Sequence, residues 1–234
     1  VVLALFLLGL VVGSFLNVVI LRLGTGRGLG GRSACMSCGR VLCTYHLIPV
    51  LSYLFQGGRC TYCGSKISPE YALVEFLTGL VFAGLVATPY FQLPSLTFAL
   101  LLAIVSILIV IAFYDLKHKI IPDQCVYLFI ALSFIWHISV FGQLDFGSYN
   151  TLAGPILFAI FALMWFLSRG KWMGFGDAKL ALGIGLLLGE QSTGAMLMSF
   201  WSGAIVGVLL LIVRRGSITM KSEIPFAPFL IVST

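Results

Sequence analysis

The sequence predicts an all-α polytopic membrane protein with about eight transmembrane helices and a small cytoplasmic loop domain. Two observations predict this fold class: hydrophobic residues make up 60% of the 234-residue chain, and charged residues make up only 9%. Soluble domains carry roughly 25% charged residues. Because each membrane crossing takes about 20 apolar residues, the chain has room for seven or eight crossings and one modest extramembrane segment.

The apolar runs place the crossings along the chain. We expect the first run to be a retained helix and not a cleaved signal peptide, because no small-residue cleavage site follows it. The predicted domains are a first transmembrane helix at 1–20, a cytoplasmic domain at 21–69 and a transmembrane domain at 70–234. The predicted crossings lie at about 1–20, 70–87, 95–113, 122–141, 151–168, 178–189, 194–213 and from 225 onward.

The basic residues predict the orientation of these helices. With alternating crossings, the loops at about 21–69, 114–121, 169–177 and 214–224 share one side of the membrane. All fourteen Lys and Arg residues fall on or just beyond these loops, and the opposite loops hold none. The positive-inside rule therefore makes this side cytoplasmic and places the N-terminus outside. The net charge of +6 is explained by topology and does not predict a nucleic-acid partner.

Two Cys-x-x-Cys pairs lie in the first loop, at Cys35 with Cys38 and at Cys60 with Cys63. Four thiolates with this spacing predict a tetrahedral structural zinc site. Gly39 and Gly64 directly follow the pairs and suit the tight turns of zinc knuckles. A redox centre does not explain the duplication, and a reducing cytoplasm disfavours disulfides. An iron–sulfur cluster is not excluded by the spacing alone.

Three acidic residues lie where an acid is costly, because charge near hydrocarbon destabilises a membrane helix. Asp115 ends the third apolar run, and Asp177 precedes the sixth within Gly174-Phe175-Gly176-Asp177-Ala178-Lys179. The topology places both at the cytoplasmic edge of the bilayer, where two carboxylates that meet can share a proton and activate a water. Glu75 lies about a turn and a half into the second run, and we expect it either to bind substrate or to pair structurally.

These aspartates predict an aspartyl protease, with Asp115 and Asp177 as the catalytic pair. Gly174 and Gly176 are predicted to admit an extended substrate strand, and Lys179 marks the cytoplasmic side. A proton-coupled transporter or channel is the competing interpretation, because single intramembrane acids often serve such proteins. A purely structural membrane subunit is a third possibility.

The chain resembles the bacterial type IV prepilin peptidases, which are membrane aspartic proteases of the Gly-x-Gly-Asp type, along nearly its whole length. The motifs that carry the resemblance are Gly13-Ser14-Phe15-Leu16-Asn17-Val18, the paired cysteines, Ile67-Ser68-Pro69-Glu70-Tyr71 with Val74-Glu75, Asp115 with Ile121-Pro122-Asp123, Gly174-Phe175-Gly176-Asp177-Ala178-Lys179 and Ile224-Pro225-Phe226-Ala227-Pro228-Phe229.

The resemblance implies that Asp115 and Asp177 cut the basic leader from prepilins or pseudopilins of type IV pili and type II secretion. It also implies N-methylation of the new N-terminus from S-adenosylmethionine, since the cysteine-bearing loop marks the bifunctional members. The implied location is the bacterial inner membrane, with the zinc loop and both aspartates at the cytoplasmic face. A signal-peptide-peptidase-like protease, which cuts inside the membrane span, is the alternative within the same chemistry. The sequence predicts neither the methyl-donor residues nor the oligomeric state.

Overall fold

The computed structural model describes residues 1–26, 28–142, 145, 148–213 and 225–234, and this part of the chain is helical. It contains no strand within those ranges, only two isolated β-bridges, Ala34 with Val41 and Arg59 with Lys66. The α-helices are α1 (Val2–Arg22), α2 (Leu51–Phe55), α3 (Glu70–Gly84), α4 (Ser95–His118), α5 (Asp123–Phe141), α6 (Tyr149–Ser168), α7 (Phe175–Leu188), α8 (Ser192–Val213) and α9 (Ala227–Val232).

The helices confirm the predicted membrane fold. Six stretches among the described residues are long and apolar enough to cross a bilayer. The predicted sixth and seventh crossings are two helices, α7 and α8, that form one continuous apolar stretch, Phe175–Leu209, and are separated by the 3-10 turn Gly189–Gln191. The predicted eighth crossing contributes α9, which has only six residues. The predicted cytoplasmic loop at 214–224 lies outside the described residues.

The chain forms two compact units, Val1–Leu102 and Ala103–Thr234. In the first unit α1 packs against α3 with almost no space between the backbones. A Cβ added at Gly9 would lie 2.7 Å from the Gly79 Cα, and one added at Gly13 would lie 2.7 Å from the Glu75 Cα. The Asn17 side chain also donates to the Tyr71 carbonyl at 2.9 Å. Small residues therefore allow close helix contact, as is common in membranes.

In the second unit α7 is the central helix, and most of its residues are buried. Glycines bring its backbone next to its neighbours: a Cβ at Gly154 of α6 would lie 2.8 Å from the Leu182 carbonyl oxygen of α7. Gly183 packs under the Phe129 ring of α5, with no room for a side chain. The small residues of α7 thus place its first turn, which carries Asp177, between α5 and α6.

Two side chains of α5 contact backbone carbonyls at the C-terminal end of α7. The Trp136 indole donates to the Leu187 carbonyl at 3.1 Å, and His137 Nδ1 lies 3.1 Å from the Leu186 carbonyl oxygen. His137 Nε2 is 3.3 Å from the Thr151 hydroxyl. These bonds satisfy carbonyls that a helix end leaves without internal partners. Trp136 is buried, with only 2% of its surface exposed.

Candidate catalytic and metal-binding sites

The four cysteines of the first loop converge on one point. The sulfur atoms of Cys35, Cys38, Cys60 and Cys63 all lie within 4.8 Å of one another, and Cys35 Sγ is 3.9 Å from Cys63 Sγ. Four thiolates held tetrahedrally at about 2.3 Å from a zinc ion would be roughly 3.8 Å apart. The cluster therefore has the spacing and the donor set of a structural zinc site.

Each cysteine pair has the same backbone turn. In the first pair, Cys35 N–H donates to the Arg40 carbonyl and Gly39 N–H donates to the Cys35 carbonyl, both at 2.9 Å. In the second, Cys60 N–H donates to Ser65 at 2.9 Å and Gly64 N–H donates to Cys60 at 2.8 Å. Gly39 and Gly64 have φ values of +71° and +70°, which side-chain-bearing residues rarely adopt. The predicted role of these glycines in two tight turns is confirmed.

Hydrogen bonds at Cys35 and Cys63 favour the thiolate, the form that binds metal. The pKa of Cys38 is instead raised to about 11: a hydrogen bond from the Arg40 backbone lowers it, but desolvation and the hydrogen bonds with Cys35 and Cys63 outweigh that effect. The backbone N–H groups of Cys38 and Ser37 lower the pKa of Cys35 to about 6. The Ser65 hydroxyl, 3.1 Å from the Cys63 sulfur, lowers the pKa of Cys63. Such outer contacts orient the ligands of a metal site and stabilise their charged form. They are what a metal-binding cluster needs.

The two predicted catalytic aspartates both lie in the second unit, at helix ends. Asp115 is in the last turn of α4, is 5% exposed, and its carboxylate accepts a hydrogen bond from the backbone N–H of Ala227, the first residue of α9. Asp177 is the third residue of α7 and is 7% exposed. Its carboxylate accepts the N–H of Gly174, the contact by which the third residue of a helix caps its start.

The two carboxylates lie close enough for a Coulombic interaction between them. Two carboxylates that interact in a buried site repel one another when both are ionised, and acid–base catalysis by a carboxylate pair uses this repulsion. The three chain segments that meet here are the end of α4, the start of α7 and the start of α9. This arrangement can perform acid–base chemistry on a bound water, and the catalytic assignment itself stays a prediction.

The two glycines before Asp177 differ in their surroundings. A Cβ on Gly176 would lie 2.9 Å from the Ile121 Cβ, so this glycine allows α7 to contact the connection between α4 and α5. A Cβ on Gly174 would approach the Asp177 carboxylate no closer than 3.8 Å, which is ordinary contact. Gly176 therefore has a structural role in close packing. The sequence analysis predicted only a role in substrate access.

Lys179 turns toward α5. Its Nζ lies 2.7 Å from Asp123 Oδ1, 5.0 Å from the centre of the Tyr127 ring and 5.5 Å from that of Phe175. Asp123 is the first residue of α5, directly after Pro122, and its carboxylate pairs with Lys179. The pair joins the first residue of α5 to the fifth residue of α7.

Glu75 belongs to the first unit and has partners there. Its carboxylate accepts the Val50 N–H at 2.7 Å and a hydrogen bond from the Ser14 hydroxyl. Val50 has φ +60°, an unfavourable value for a β-branched residue, so this contact holds a strained turn before α2. These contacts with Val50 and Ser14 support the structural pairing of Glu75. Its substrate-binding role stays a prediction.

Matches to known protein families divide the chain in the same way as its two compact units. Residues 7–88 match the family model described as the Bacterial Peptidase A24 N-terminal domain, and residues 102–212 match that of the Type IV leader peptidase family. The chain is similar to proteins named prepilin leader peptidase/N-methyltransferase. The one from Pseudomonas aeruginosa is 33% identical over 99% of this chain and 88% of the relative.

The chain belongs to the type IV leader peptidase family. A relative of the same name from Bacillus subtilis is 32% identical over 96% of this chain and 88% of its own length. One from Myxococcus xanthus is 36% identical over 94% of this chain and 66% of its own length. No solved structure matches the chain. The four cysteines lie within the N-terminal family match, and both aspartates lie within the leader peptidase match.

Sequence reasoning missed two contacts around the predicted catalytic aspartates. Asp123 pairs with Lys179, and the backbone N–H of Ala227 contacts Asp115. Asp123 and Ala227 both lie in motifs that carry the family resemblance, Ile121-Pro122-Asp123 and Pro225-Phe226-Ala227-Pro228. The composition of these motifs does not predict which side chains they contact. A backbone donor leaves no signal in the residue type.

Proposed function

We propose that this chain removes the leader peptide from prepilins or pseudopilins and methylates the new N-terminus. The observation that carries the proposal is the pair of buried, interacting carboxylates of Asp115 and Asp177 in a member of this family. In this proposal Asp115 and Asp177 are the catalytic pair. The relatives' names supply both activities, leader cleavage and N-methylation.

Cleavage is acid–base chemistry on a water held between the two carboxylates. The ionised carboxylate takes a proton from the water as its oxygen attacks the scissile carbonyl, while the protonated carboxyl donates its proton to the carbonyl oxygen. Collapse of the tetrahedral intermediate breaks the C–N bond as the first carboxyl gives its proton to the leaving amine. The second carboxylate takes a proton back from a hydroxyl of the intermediate, which forms the new carboxyl group and restores both starting protonation states. The Ala227 and Gly174 N–H groups hold the two side chains in place through this cycle.

The site of cleavage follows from the predicted topology. With the first loop and the basic residues in the cytoplasm, both aspartates lie at the inner face of the membrane. The substrate's apolar helix then lies in the bilayer and its basic leader lies in the cytoplasm. Because a helical peptide bond is shielded by its own hydrogen bonding, the substrate must unwind at the junction before water attacks.

The methylation step uses a donor that supplies an activated methyl group, S-adenosylmethionine, to the new α-amine. Cys35, Cys38, Cys60 and Cys63 would hold a zinc ion that stabilises the first loop, as structural zinc sites do in small domains with little core. We assign no residues to donor binding.

The test is incubation of the purified enzyme in detergent or vesicles with a prepilin and isotope-labelled S-adenosylmethionine, followed by intact-mass analysis. Asp115→Asn and Asp177→Asn should each lose cleavage by at least about 10³-fold, while remaining folded. Glu190→Gln, which alters an exposed carboxylate in the same unit, is the matched control. Retained cleavage in either aspartate variant would refute the catalytic pair.

Two further readouts separate the activities and the competing functions. Zinc removal, checked by metal analysis, should lower methylation of a precut substrate. The two aspartate variants, with their metal retained, should still methylate that substrate. Cleavage within the apolar span would indicate a signal-peptide-peptidase-like enzyme. Ion or solute flux in vesicles without any cleaved product would indicate a transporter.

A further inference from the structure

The first loop presents a patch of exposed apolar side chains on α2 and on the residues just before it. Three of them lie on one face of α2, because helix positions three and four apart are neighbours. Phe55 is 86% exposed. Contiguous exposed apolar side chains mark an interaction surface. The members of this α2 apolar patch are Leu47, Ile48, Leu51, Leu54 and Phe55.

A hydrogen bond fixes the depth of the α2 apolar patch relative to α3. Val50, which directly precedes α2, donates its backbone N–H to the Glu75 carboxylate at 2.7 Å. Glu75 is the sixth residue of α3 and lies about 7.5 Å along the helix axis from the first residue. α2 therefore begins beside the second turn of α3 and not beyond the end of that helix.

The length of the apolar stretch that contains α3 places this second turn inside the membrane. The stretch Glu70–Ala87 has 18 residues, which span about 27 Å as a helix. The hydrocarbon core of a bilayer is about 30 Å thick. Because the whole stretch is needed to cross it, Glu70 lies at the edge of the hydrocarbon and Glu75 lies below that edge. The start of α2 is thus at the depth of about 5 to 10 Å to which interfacial helices are buried.

The loop around α2 carries only positive charge. Residues 23–69 include no Asp or Glu. Anionic lipids of the cytoplasmic leaflet attract basic residues that lie near the membrane surface. The charge of the loop and its apolar patch therefore complement the two layers of one leaflet, the headgroups and the acyl chains. The basic residues are Arg27, Arg32, Arg40, Arg59 and Lys66.

We infer that the α2 apolar patch inserts into the cytoplasmic leaflet and that the basic residues of the loop bind its anionic headgroups. α2 lies between the two cysteine pairs along the chain, so its insertion attaches the four-cysteine cluster to the membrane surface. A second copy of the chain fits this surface less well, because its own loop carries the same positive charge. The inference does not depend on the proposed function, and its test needs no prepilin.

The first test is hydroxyl-radical footprinting of the unsubstituted enzyme in nanodiscs of equal parts phosphatidylcholine and phosphatidylglycerol. Phe55 should be oxidised more slowly than Tyr62 of the same loop, although Phe55 is 86% exposed and Tyr62 only 37%. Lipid around Phe55 excludes the water from which the radicals form. In the enzyme unfolded in urea, the two rings should be oxidised at similar rates. Faster oxidation of Phe55 in nanodiscs would overturn the insertion.

The second test identifies what contacts the patch. Phe55→p-benzoylphenylalanine should form lipid adducts on irradiation in the same nanodiscs, detected by mass spectrometry. Gln56→p-benzoylphenylalanine is the matched control, because Gln56 continues α2 on the opposite face, and it should give several-fold fewer adducts. Phosphatidylglycerol should exceed its share among the adducts by about fivefold, the enrichment that one basic residue at the surface supports.

Three results of the second test would overturn the inference. Equal numbers of lipid adducts at the two positions would show that the patch does not face lipid. A crosslink from position 55 to a second copy of the chain would indicate a dimer interface. Phosphatidylglycerol adducts in proportion to its share would show that the basic residues do not select anionic headgroups. If a substituted enzyme does not fold, footprinting of the unsubstituted enzyme decides.

Discussion

Gly176 places Asp177 by lacking a side chain. Its Cα lies so near Ile121 that an added methyl group would approach the Ile121 Cβ to 2.9 Å. Asp177 is the next residue, and its backbone begins α7. Any displacement that relieves the contact therefore moves the Asp177 carboxylate. Precision at the site depends on this contact between α7 and the α4–α5 connection.

Gly176→Ala should destabilise the enzyme by about 1 to 3 kcal/mol, the usual cost of overpacking, and should reduce leader cleavage by at least tenfold. Gly174→Ala, where the added methyl group meets only ordinary contacts, should retain most of both. Thermal unfolding in detergent and the cleavage rate of a prepilin measure the two effects. Equal losses in the two variants would contradict the packing explanation.

Cys35 predicts a pH dependence in the metal-free loop. Hydrogen bonds from the Cys38 and Ser37 backbone lower its pKa to about 6, from a usual value near 9. In the zinc-free enzyme its alkylation by iodoacetamide should be fast at pH 7 and fall about tenfold by pH 5, because only the thiolate reacts. Peptide mass spectrometry across this range measures it, with Cys35→Ser as the site control.

The lowered pKa of Cys35 also determines how the stability of the folded metal-free loop changes with pH. A thiol with a lowered folded-state pKa contributes stability above its unfolded pKa, and that contribution is lost as the pH falls through about 6. Zinc binding weakens in the same direction, because protons compete for the thiolates. Alkylation that stays slow until pH 9 would show that the backbone donors are absent in solution.

Among the helices, α7 shows what an apolar sequence can and cannot predict. Its existence follows from hydropathy, because lipid-exposed backbone must satisfy its own hydrogen bonds as a helix. Its length of 14 residues and the burial of its C-terminal end do not follow from hydropathy. They depend on Trp136 and His137 of α5, about 50 residues earlier, which cap the Leu187 and Leu186 carbonyls.

The Lys179–Asp123 pair joins α7 to α5 and tests whether Lys179 positions the site or acts in it. Lys179→Met and Asp123→Asn should each reduce cleavage several-fold and stability by no more than about 1 kcal/mol, since Asp123 is 62% exposed. The charge swap Lys179→Asp with Asp123→Lys should recover most of the loss. A swap as inactive as Lys179→Met would indicate that the ammonium group itself takes part.

At the scale of the whole molecule, the membrane class and the four-cysteine cluster were predictable for different reasons. Composition predicts the class, because 60% hydrophobic residues cannot be buried in a soluble protein of 234 residues. The cluster was predictable because its ligands come as two local repeats. The pairing of Asp115 with Asp177 needed topology as well, and their contacts to Ala227 and Gly174 came only from the structure.

The orientation of the whole chain has a direct test. Cysteine introduced at Gln92, in a predicted outer loop, should react in intact cells with a membrane-impermeant maleimide. Cysteine introduced at Lys171, in a predicted cytoplasmic loop, should react only after the membrane is permeabilised. The unsubstituted enzyme is the control for its native cysteines. The opposite pattern of labelling would place both aspartates on the outer face.

The close packing of α1 on α3 bears on the history of the family. Gly9 meets Gly79, Gly13 meets Glu75, and Asn17 meets Tyr71, so the helices are antiparallel, and the chain leaves and rejoins this pair at neighbouring points. Domains are readily inserted and deleted where the two ends lie close together. The cysteine-bearing segment between Arg22 and Glu70 therefore lies at a position where a whole segment can be inserted or deleted. A lineage could discard or acquire it without rebuilding the helices on either side.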